Sequence, residues 1–381
     1  MYKTHKNTVK KTTLRGAICA GMLACGAANA ATWIADGGTH NWDDPLNWNG
    51  PVPNANGAVA DFNVPLSSNL IVNLPAGDRT IGNLVLGDQN QLYKITLTNS
   101  APNSRLLFNS AATAAKTIIQ TATSVGDEIA VNVRLVNTQT TVSNLSSSAL
   151  SINSQLSGNN RLIELALECG DLVLGGNVAN AAFMMVVNDG LLVCAKPNRD
   201  RSNTTLYNVT LNGGTIRMDE LSQVAQNSND YIFTINGGVV DMNGLPLPLR
   251  RVEGNGGVIT SLASGAPVML QFDEHSPASY GGTIQDGPNQ VVWLAGRQNV
   301  LTLSGANTFS GGVIFTGIDV SMGHPRAFGT ERIVRVNNSG NFLRSADEND
   351  IVTEYDISML NTTLTFGSLG EIGRASCRER V

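Results

Sequence analysis

An internal repeat in the middle of the chain limits the fold more than any other feature. Each unit has an Asn-centred turn between two short apolar runs, and the four asparagines are Asn188, Asn212, Asn236 and Asn255. Successive asparagines lie 24, 24 and 19 residues apart. Asn and Gly tolerate the positive φ that a tight turn needs. The repeat therefore predicts strand, turn and strand in every unit.

The alternation after each turn separates an inward set from an outward set. A single unit cannot bury its own apolar face, so units of this kind stack and share one core. The predicted inward columns are Leu192, Ile216, Val240 and Ile259, and beside them Cys194, Met218 and Met242. The predicted outward column is Val193, Arg217, Asp241 and Thr260, in which Arg217 and Asp241 are expected to form an ion pair between neighbouring units.

These patterns predict an all-β protein, a parallel β-solenoid (right-handed β-helix) over residues 66–370 with roughly 20–25 residues per coil. A β-sandwich with regular hairpins is the alternative. Charged residues make up only 14% of the chain, against about 25% in ordinary domains. That composition is unlike a helical bundle or a nucleic-acid-binding protein, whereas 42% hydrophobic residues are enough for a core.

The N-terminal residues 1–30 have the three parts of a secretory signal. Five basic residues precede an uncharged apolar stretch, and Ala28-Asn29-Ala30 supplies the small residues of a cleavage site. We expect cleavage between Ala30 and Ala31. The apolar stretch is shorter than the roughly 20 residues of a membrane-spanning helix. Loss of the five positive charges takes the net charge from -5 to -10, which gives the exported protein no affinity for nucleic acid.

Residues 31–65 form a Trp-rich segment that we interpret as an N-terminal cap of the solenoid. Trp33, Trp42 and Trp48 would give such a cap a small core of its own. The alternative is that the three indoles form a flat surface for stacking on sugars, which would make this segment a carbohydrate-binding module.

Residues 301–329, LTLSGANTFSGGVIFTGIDVSMGHPRAFG, contain a recognisable motif set. The L-T-L-S-G strand end, Asn307-Thr308-Phe309, the glycine pair 311–312 and Ala327-Phe328-Gly329 closely resemble the autotransporter-associated β-strand repeat, also called the passenger-associated transport repeat. Gly317-Ile318-Asp319 stands where the family usually has Gly-Thr-Leu. The cap also resembles the opening segment of such proteins, through its three tryptophans, Pro53-Asn54, Gly57 and Asp61-Phe62.

The resemblance implies an exported bacterial surface protein, extracellular or on the outer membrane, whose β-helix serves adhesion or display without enzymatic activity. Its partners would be extracellular carbohydrate or cell-surface components, and a C-terminal outer-membrane anchor is expected beyond this chain. We expect no membrane segment within it. The alternative function is a β-helix lyase or hydrolase that acts on polysaccharides.

The sequence indicates no catalytic, cofactor or metal site. Asp273-Glu274-His275 is the densest titratable group, but neighbours along a strand point to opposite faces. Glu164 and Glu168 share a face, yet four residues of strand span roughly 13 Å, too far for the carboxyl pair of a glycosidase. Whether Cys169 and Cys194 form a disulfide is left open.

The last residues, 371–381, depart abruptly from the rest of the chain. They read EIGRASCRERV, with three arginines in seven residues and none of the Gly, Asn and Thr patterning that precedes them. The segment matches one translation frame of a common short-read sequencing adapter. We therefore expect it to be an artefact that truncates a longer protein.

Overall fold

The computed structural model of the protein describes residues 30–111, 114, 116–137, 139–158, 163–181, 183–197, 205–225, 231–273, 277–297, 300–331, 333–337, 341–346, 355–360 and 364–367. Residues 1–29 of the predicted signal, the adapter-like tail, Glu274 and His275 lie outside these residues.

Two long sheets run along the molecule, each with eleven strands. Sheet 1 consists of Ala30–Trp33, Trp48–Asn49, Val59–Val64, Asn83–Asp88, Lys116–Gln120, Thr140–Asn144, Glu164–Cys169, Met184–Val187, Asn208–Leu211, Phe233–Ile235 and Val252–Glu253. Sheet 2 consists of Gly38–Asn41, Leu70–Leu74, Ile95–Asn99, Glu128–Ile129, Leu150–Ile152, Asp171–Leu174, Leu191–Cys194, Thr215–Met218, Val239–Asp241, Val258–Thr260 and Thr283–Ile284.

Three shorter sheets complete the coils. Sheet 3 consists of Asp78–Ile81, Arg105–Phe108, Asn132–Leu135 and Leu156–Gly158. Sheet 4 consists of Leu247–Leu249, Val268–Asp273, Val292–Arg297, Val313–Thr316, Ile333–Asn337 and Asp356–Leu360. Sheet 5 consists of Ala278–Tyr280, Val300–Leu303, Asp319–Met322, Asn341–Ser345 and Leu364–Gly367. One 3-10 helix, Pro45–Asn47, lies in the Trp-rich segment.

The strand pairing confirms the parallel β-solenoid. Beyond Trp48–Asn49, which shares sheet 1 with the following strand Val59–Val64, successive strands fall in different sheets, and each pairs with its equivalent in the next coil. Among the described residues, the one antiparallel pair joins Ala30–Trp33 to Trp48–Asn49. A β-sandwich built from hairpins would pair consecutive strands antiparallel, so that alternative is wrong.

The inward columns of the repeat lie as the alignment predicts. Leu192, Ile216, Val240 and Ile259 are register neighbours in sheet 2, and all four are fully buried. Parallel strands lie about 4.8 Å apart, so side chains in one column touch and exclude water together. The apolar column is therefore a continuous part of the core.

The outward column keeps the predicted register but not the predicted contacts. Val193, Asp241 and Thr260 are nearly inaccessible to solvent, because neighbours above and below in a flat column shield a short side chain. The expected ion pair between Arg217 and Asp241 is not formed. The Arg217 guanidinium instead donates to both carboxylate oxygens of Asp219, with Nε to Oδ1 at 2.6 Å.

The predicted cap core is present. Trp33, Trp42 and Trp48 surround Phe62 with ring centroids 5.2 to 5.6 Å from it, and all four rings are buried. The Trp42 indole donates to the Pro53 carbonyl and the Trp48 indole donates to the Trp42 carbonyl. Because no indole face is open to solvent, the arrangement does not provide the sugar-stacking surface that was the alternative for this segment.

Candidate functional site

The corner between sheets 1 and 2 is built in two ways along the molecule. In the early coils the chain turns through the segments 89–94, 121–127 and 145–149, which we call the loop corner. In later coils it turns through residue 170 and the segments 188–190, 212–214, 236–238 and 254–257, which we call the glycine corner. The first uses buried polar side chains and the second uses backbone packing.

Asp88 organises the first turn of the loop corner. Its buried carboxylate accepts hydrogen bonds from the backbone N–H groups of Leu66, Asn90, Leu92 and Tyr93 at 2.9 to 3.0 Å. Burial opposes ionisation, but the four donors outweigh it and hold the pKa of Asp88 below its usual value.

Asp127 lies in the next turn, where desolvation outweighs the hydrogen bonds to the carboxylate. It is fully buried and accepts from the Ile95 N–H and the Ser124 hydroxyl. Desolvation dominates here and raises the pKa of the Asp127 carboxyl. Gln120 accepts from the Asp127 N–H and donates to Asn144, which carries the polar network into the following coil.

The glycine corner stacks backbone on backbone. Gly190, Gly214 and Gly238 have φ of 87°, 68° and 71°, in the left-handed region that favours glycine. The carbonyl of Gly190 accepts from the Thr215 N–H, and that of Gly214 accepts from the Val239 N–H. A Cβ on Gly214 would lie 2.4 Å from the Gly190 carbonyl oxygen, so the approach excludes a side chain.

A ladder of side-chain amides lies beside these glycines. Asn188 donates to the Glu168 carboxylate at 3.0 Å, Asn212 donates to Asn188 at 2.9 Å, and Asn236 donates to Asn212 at 2.9 Å. Every amide points in the same direction along the solenoid, toward the anionic end at Glu168. Three of the four turn asparagines that define the repeat are thus bonded to one another across three coils.

Within the described residues, the strand ladder on the third side of the solenoid stops in the middle of the molecule. Sheet 3 ends at Leu156–Gly158 and sheet 4 begins at Leu247–Leu249, with the isolated bridges Ser157 to Ala181 and Leu206 to Val224 between them. Side chains replace the missing strand pairs. Asn180 accepts from the Leu156 N–H and donates to the Thr205 carbonyl, so it connects the coils on both sides of it.

Lys196 is the centre of this interruption. Its fully buried ammonium donates to the carbonyls of Ser154, Gly175 and Val178 at 2.6 to 2.8 Å. Burial lowers the pKa of Lys196 to about 8. The Gln223 side chain bonds both the N–H and the carbonyl of Lys196. The ammonium therefore joins three levels of the solenoid through backbone carbonyls.

Sequence reasoning missed Lys196, although a signal was present. Leu192, Cys194 and Lys196 alternate, which places Lys196 on the inward side of its strand's continuation. The same alternation places Lys116 inward beside Ile118, and Lys116 is also fully buried. Burial lowers the pKa of Lys116 to about 8. Period-two alternation predicts both positions once the charge is disregarded.

A shallow cleft opens at the same interruption, where the chain enters sheet 1. The half-buried rings of Tyr207 and Tyr231 meet edge to face, with centroids 5.1 Å apart. Arg251 donates through Nε to the Glu253 carboxylate at 2.8 Å. The cleft is lined by Tyr207, Val224, Ala225, Tyr231, Ile232, Phe233, Leu249, Arg250 and Arg251.

The residues first considered for chemistry are placed apart from this cleft. Glu164 accepts from Gln139, while Glu168 accepts from Asn188 at the base of the amide ladder. Asp273 ends a strand of sheet 4. In the parts of the chain that the structure describes, no group of three His, Cys, Asp or Glu side chains converges as metal ligands would.

The thiol of Cys194 is free and fully buried, so it does not pair with Cys169. Burial, reinforced by the nearby Asp219 charge, raises the pKa of Cys194. The thiol therefore belongs to the core and not to a reactive site.

The residues that carry the family resemblance are mostly structural. Phe309, Ala327 and Phe328 are fully buried, and Asn307 is nearly so. Asn307 accepts from the Ile284 N–H and donates to the Ala327 carbonyl, which repeats the role of Asn180.

Comparisons of the chain with protein-family models, with curated proteins and with solved structures returned no match. In the part of the chain that the structure describes, no helix is long and apolar enough to cross a membrane.

Proposed function

We propose that this protein is an exported bacterial surface protein whose β-helix is a non-enzymatic scaffold for adhesion or display, resembling an autotransporter passenger. The observation that carries the proposal is that several carboxylates are bonded to backbone N–H groups of the solenoid turns. Asp88 and Asp241 accept backbone N–H groups from their own and a neighbouring coil, and Asp286 accepts those of Val292 and Ser310. Acidic groups committed to turns hold a fold together and are poorly placed for proton transfer.

The N-terminal sequence supports export. Ala31 is fully buried in the first strand of sheet 1, beside the exposed Ala30. Cleavage after Ala30 would therefore leave the strand residues Ala31, Thr32 and Trp33 in the mature protein. The strand can keep its pairing with Val59–Val64 after the signal is removed.

Export is tested by producing the whole chain in a Gram-negative bacterium. We expect protein outside the cytoplasm with Ala31 as its first residue, measured by fractionation and N-terminal sequencing. Replacing both Ala28 and Ala30 by Arg should block cleavage. Wild-type protein retained in the cytoplasm with an intact N-terminus would contradict the proposal.

We propose that the adhesive contact uses the surface around the cleft between Tyr207 and Arg251, because the cleft itself is too small to enclose a sugar ring. Aromatic rings supply flat apolar area for a sugar ring or an apolar side chain. The Arg251 and Glu253 pair supplies hydrogen-bond donors and acceptors at the rim of the cleft. A guanidinium has five N–H donors, so Arg251 can bond Glu253 and still donate to a ligand. This combination suits extracellular carbohydrate or another cell-surface component.

The contact is tested with purified protein in a cell- and glycan-binding assay. We expect Arg251→Ala and Tyr231→Ala to reduce binding at least tenfold while Arg105→Ala leaves it unchanged. Arg105 is the matched control because it pairs with Asp78 at similar exposure on another side of the solenoid. Equal loss with all three variants would count against the cleft, and release of cleaved polysaccharide would contradict a non-enzymatic role.

A further inference from the structure

Three turns of the glycine corner have the same local sequence, Asn-Gly-Gly, at Asn212, Asn236 and Asn255. All three asparagines are exposed. Asparagine followed by glycine is chemically labile, because glycine has no side chain to hinder attack by its backbone nitrogen on the preceding amide. The residue that follows each asparagine, which governs the attack, is the same in all three turns, so the rates in unfolded protein are the reference for the tertiary setting.

The amide ladder gives the three asparagines different settings. Asn212 donates to Asn188 and accepts from Asn236, so its amide is held at both ends. Asn236 donates to Asn212 and is held at one end. Among the described residues, Asn255 has neither ladder bond, and the ladder ends at Asn236.

Backbone geometry explains why the ladder stops. Strand pairing aligns Glu253 with Thr234, so Gly254 occupies the place of Ile235 and Asn255 that of Asn236. Gly254 has φ of 117°, and a Cβ there would lie 2.0 Å from the Ile235 carbonyl oxygen. This left-handed conformation changes the backbone one residue before the turn, and within the described chain the Asn255 side chain makes no bond to Asn236.

We propose that Asn255 is a deamidation site of the folded protein, and that the amide ladder protects Asn236 partly and Asn212 most. The backbone nitrogen of Gly256 attacks Cγ of Asn255, the bond from Cγ to Nδ2 breaks, and ammonia leaves with the amide proton. Water then opens the resulting succinimide to aspartate or isoaspartate. Water is the one co-reactant, and no oxidant or reductant takes part.

The order of rates follows from the bonds that must break. Cγ can meet the glycine nitrogen only after the side-chain amide rotates, and in the ladder this rotation costs one or two hydrogen bonds. Each exposed amide bond is expected to slow reaction roughly fivefold. Asn255 reacts first, Asn236 second and Asn212 last.

Three other Asn-Gly pairs differ in neighbours or setting and are not part of this comparison. Asn56 accepts from Asn109, Asn243 donates to Asp219, and Asn49 lies in the antiparallel strand Trp48–Asn49.

Deamidation would alter the corner chemically. It adds a carboxylate to a chain of net charge -5, and isoaspartate inserts one further backbone carbon between Val252–Glu253 and Val258–Thr260. The isoaspartyl form is the substrate class of S-adenosylmethionine-dependent isoaspartyl methyltransferases, so labelled methyl transfer can detect it.

The test is a time course of peptide mass spectrometry on the intact folded chain in mildly alkaline buffer. A parallel sample in concentrated urea is the reference, and labelled methyl transfer reports isoaspartate. We expect the folded order 255, 236, 212 and nearly equal rates in urea. Equal rates in the folded protein, or Asn212 reacting first, would overturn the proposal.

Asn188→Ala sharpens the test because it removes the acceptor of Asn212. We expect the rate at Asn212 to rise about fivefold while that at Asn255 is unchanged. An unchanged rate at Asn212 in folded variant protein would show that the ladder does not protect. If the variant does not fold, the comparison of folded and urea-treated wild type still decides the proposal.

Discussion

The loop corner and the glycine corner make the same bend between the same two sheets with different chemistry. In the loop corner, buried side chains such as Asp88 and Asp127 satisfy the N–H groups of a long turn. In the glycine corner, the turn is so tight that the carbonyl of one glycine meets the next coil directly. One design depends on charge and hydrogen-bond count, and the other depends on the absence of a side chain.

The turns of a solenoid can differ in construction from coil to coil while the strands keep their register. Each coil contacts chiefly its neighbours, so a corner can change its construction from one coil to the next if strand register is kept. The register is continuous from Leu150 through Leu172 to Leu192, although the loop corner gives way to the glycine corner between them.

Gly214→Ala should break the glycine corner and has the largest expected effect. Alanine would meet the Gly190 carbonyl oxygen at 2.4 Å and occupy φ of 68°, so we expect a loss of about 3 kcal/mol or more in unfolding free energy. Gly57→Ala is the matched control, because Gly57 also has positive φ but no atom within 4 Å of the added Cβ. It should cost about 1–2 kcal/mol. Equal shifts in urea denaturation would contradict close packing as the cause.

Asp88→Asn should weaken the loop corner by about 2–3 kcal/mol. In wild type each carboxylate oxygen of Asp88 accepts from two backbone N–H groups. The asparagine amide keeps one oxygen, and its NH2 group would face two N–H donors that then have no acceptor. Asp189→Asn is the counterpart in the glycine corner, where the carboxylate accepts from Gly190. We expect less than about 1 kcal/mol there. Thermal melting of both variants measures the difference, and a larger loss for Asp189→Asn would reverse our account of the two corners.

Acid should affect the loop corner through Asp88. Its pKa is lower in the folded protein than in the unfolded chain, so its contribution is complete above about pH 3.9 and is lost as pH falls through the folded value. We expect the melting temperature of wild type to fall more steeply than that of Asp88→Asn below about pH 4. Asp127 has a raised pKa and the opposite sign. The Asp88 charge is the smallest of the causes of that rise, so most of the Asp127 contribution is common to both proteins. Parallel curves for the two proteins would contradict the prediction.

Asn212→Ala should have the smallest effect. It removes two exposed ladder bonds, and we expect a loss of about 0.5–1 kcal/mol. Asn255→Ala, outside the ladder, should change the melting temperature by less than the error of the measurement. A similar loss for both would mean that the ladder contributes nothing to stability.

Much of the fold was predictable because each repeat unit contains a recognisable turn and a strand whose side chains alternate between the core and the outside. The Asn-Gly turns fix where Thr215–Met218, Val239–Asp241 and Val258–Thr260 begin in sheet 2, and alternation then assigns Ile216 and Val240 to the core. The tryptophans of the cap were predictable as core for a simpler reason, since three large aromatics within 16 residues bury one another.

The candidate site was less predictable. Tyr207, Tyr231 and Arg251 are brought together because strand pairing stacks the entrances of successive coils into sheet 1. No motif connects them in the sequence. On the third side, described polar residues such as Asn180 and Lys196 bond between coils, and nothing in the local sequence names those partners.

The sequence by itself determined that this chain is a stack of parallel coils with apolar columns inside, because period-two alternation recurs along the chain and the turn chemistry recurs in the coils of the glycine corner. Only the tertiary structure decided the partner of each polar group. Arg217 lies beside Asp241 in register yet bonds Asp219, and Lys196 enters the core because three carbonyls from two earlier coils meet it there. Hydrogen bonds of this kind depend on where side chains of different coils end in space, and the spacing of residues along the chain does not contain that distance.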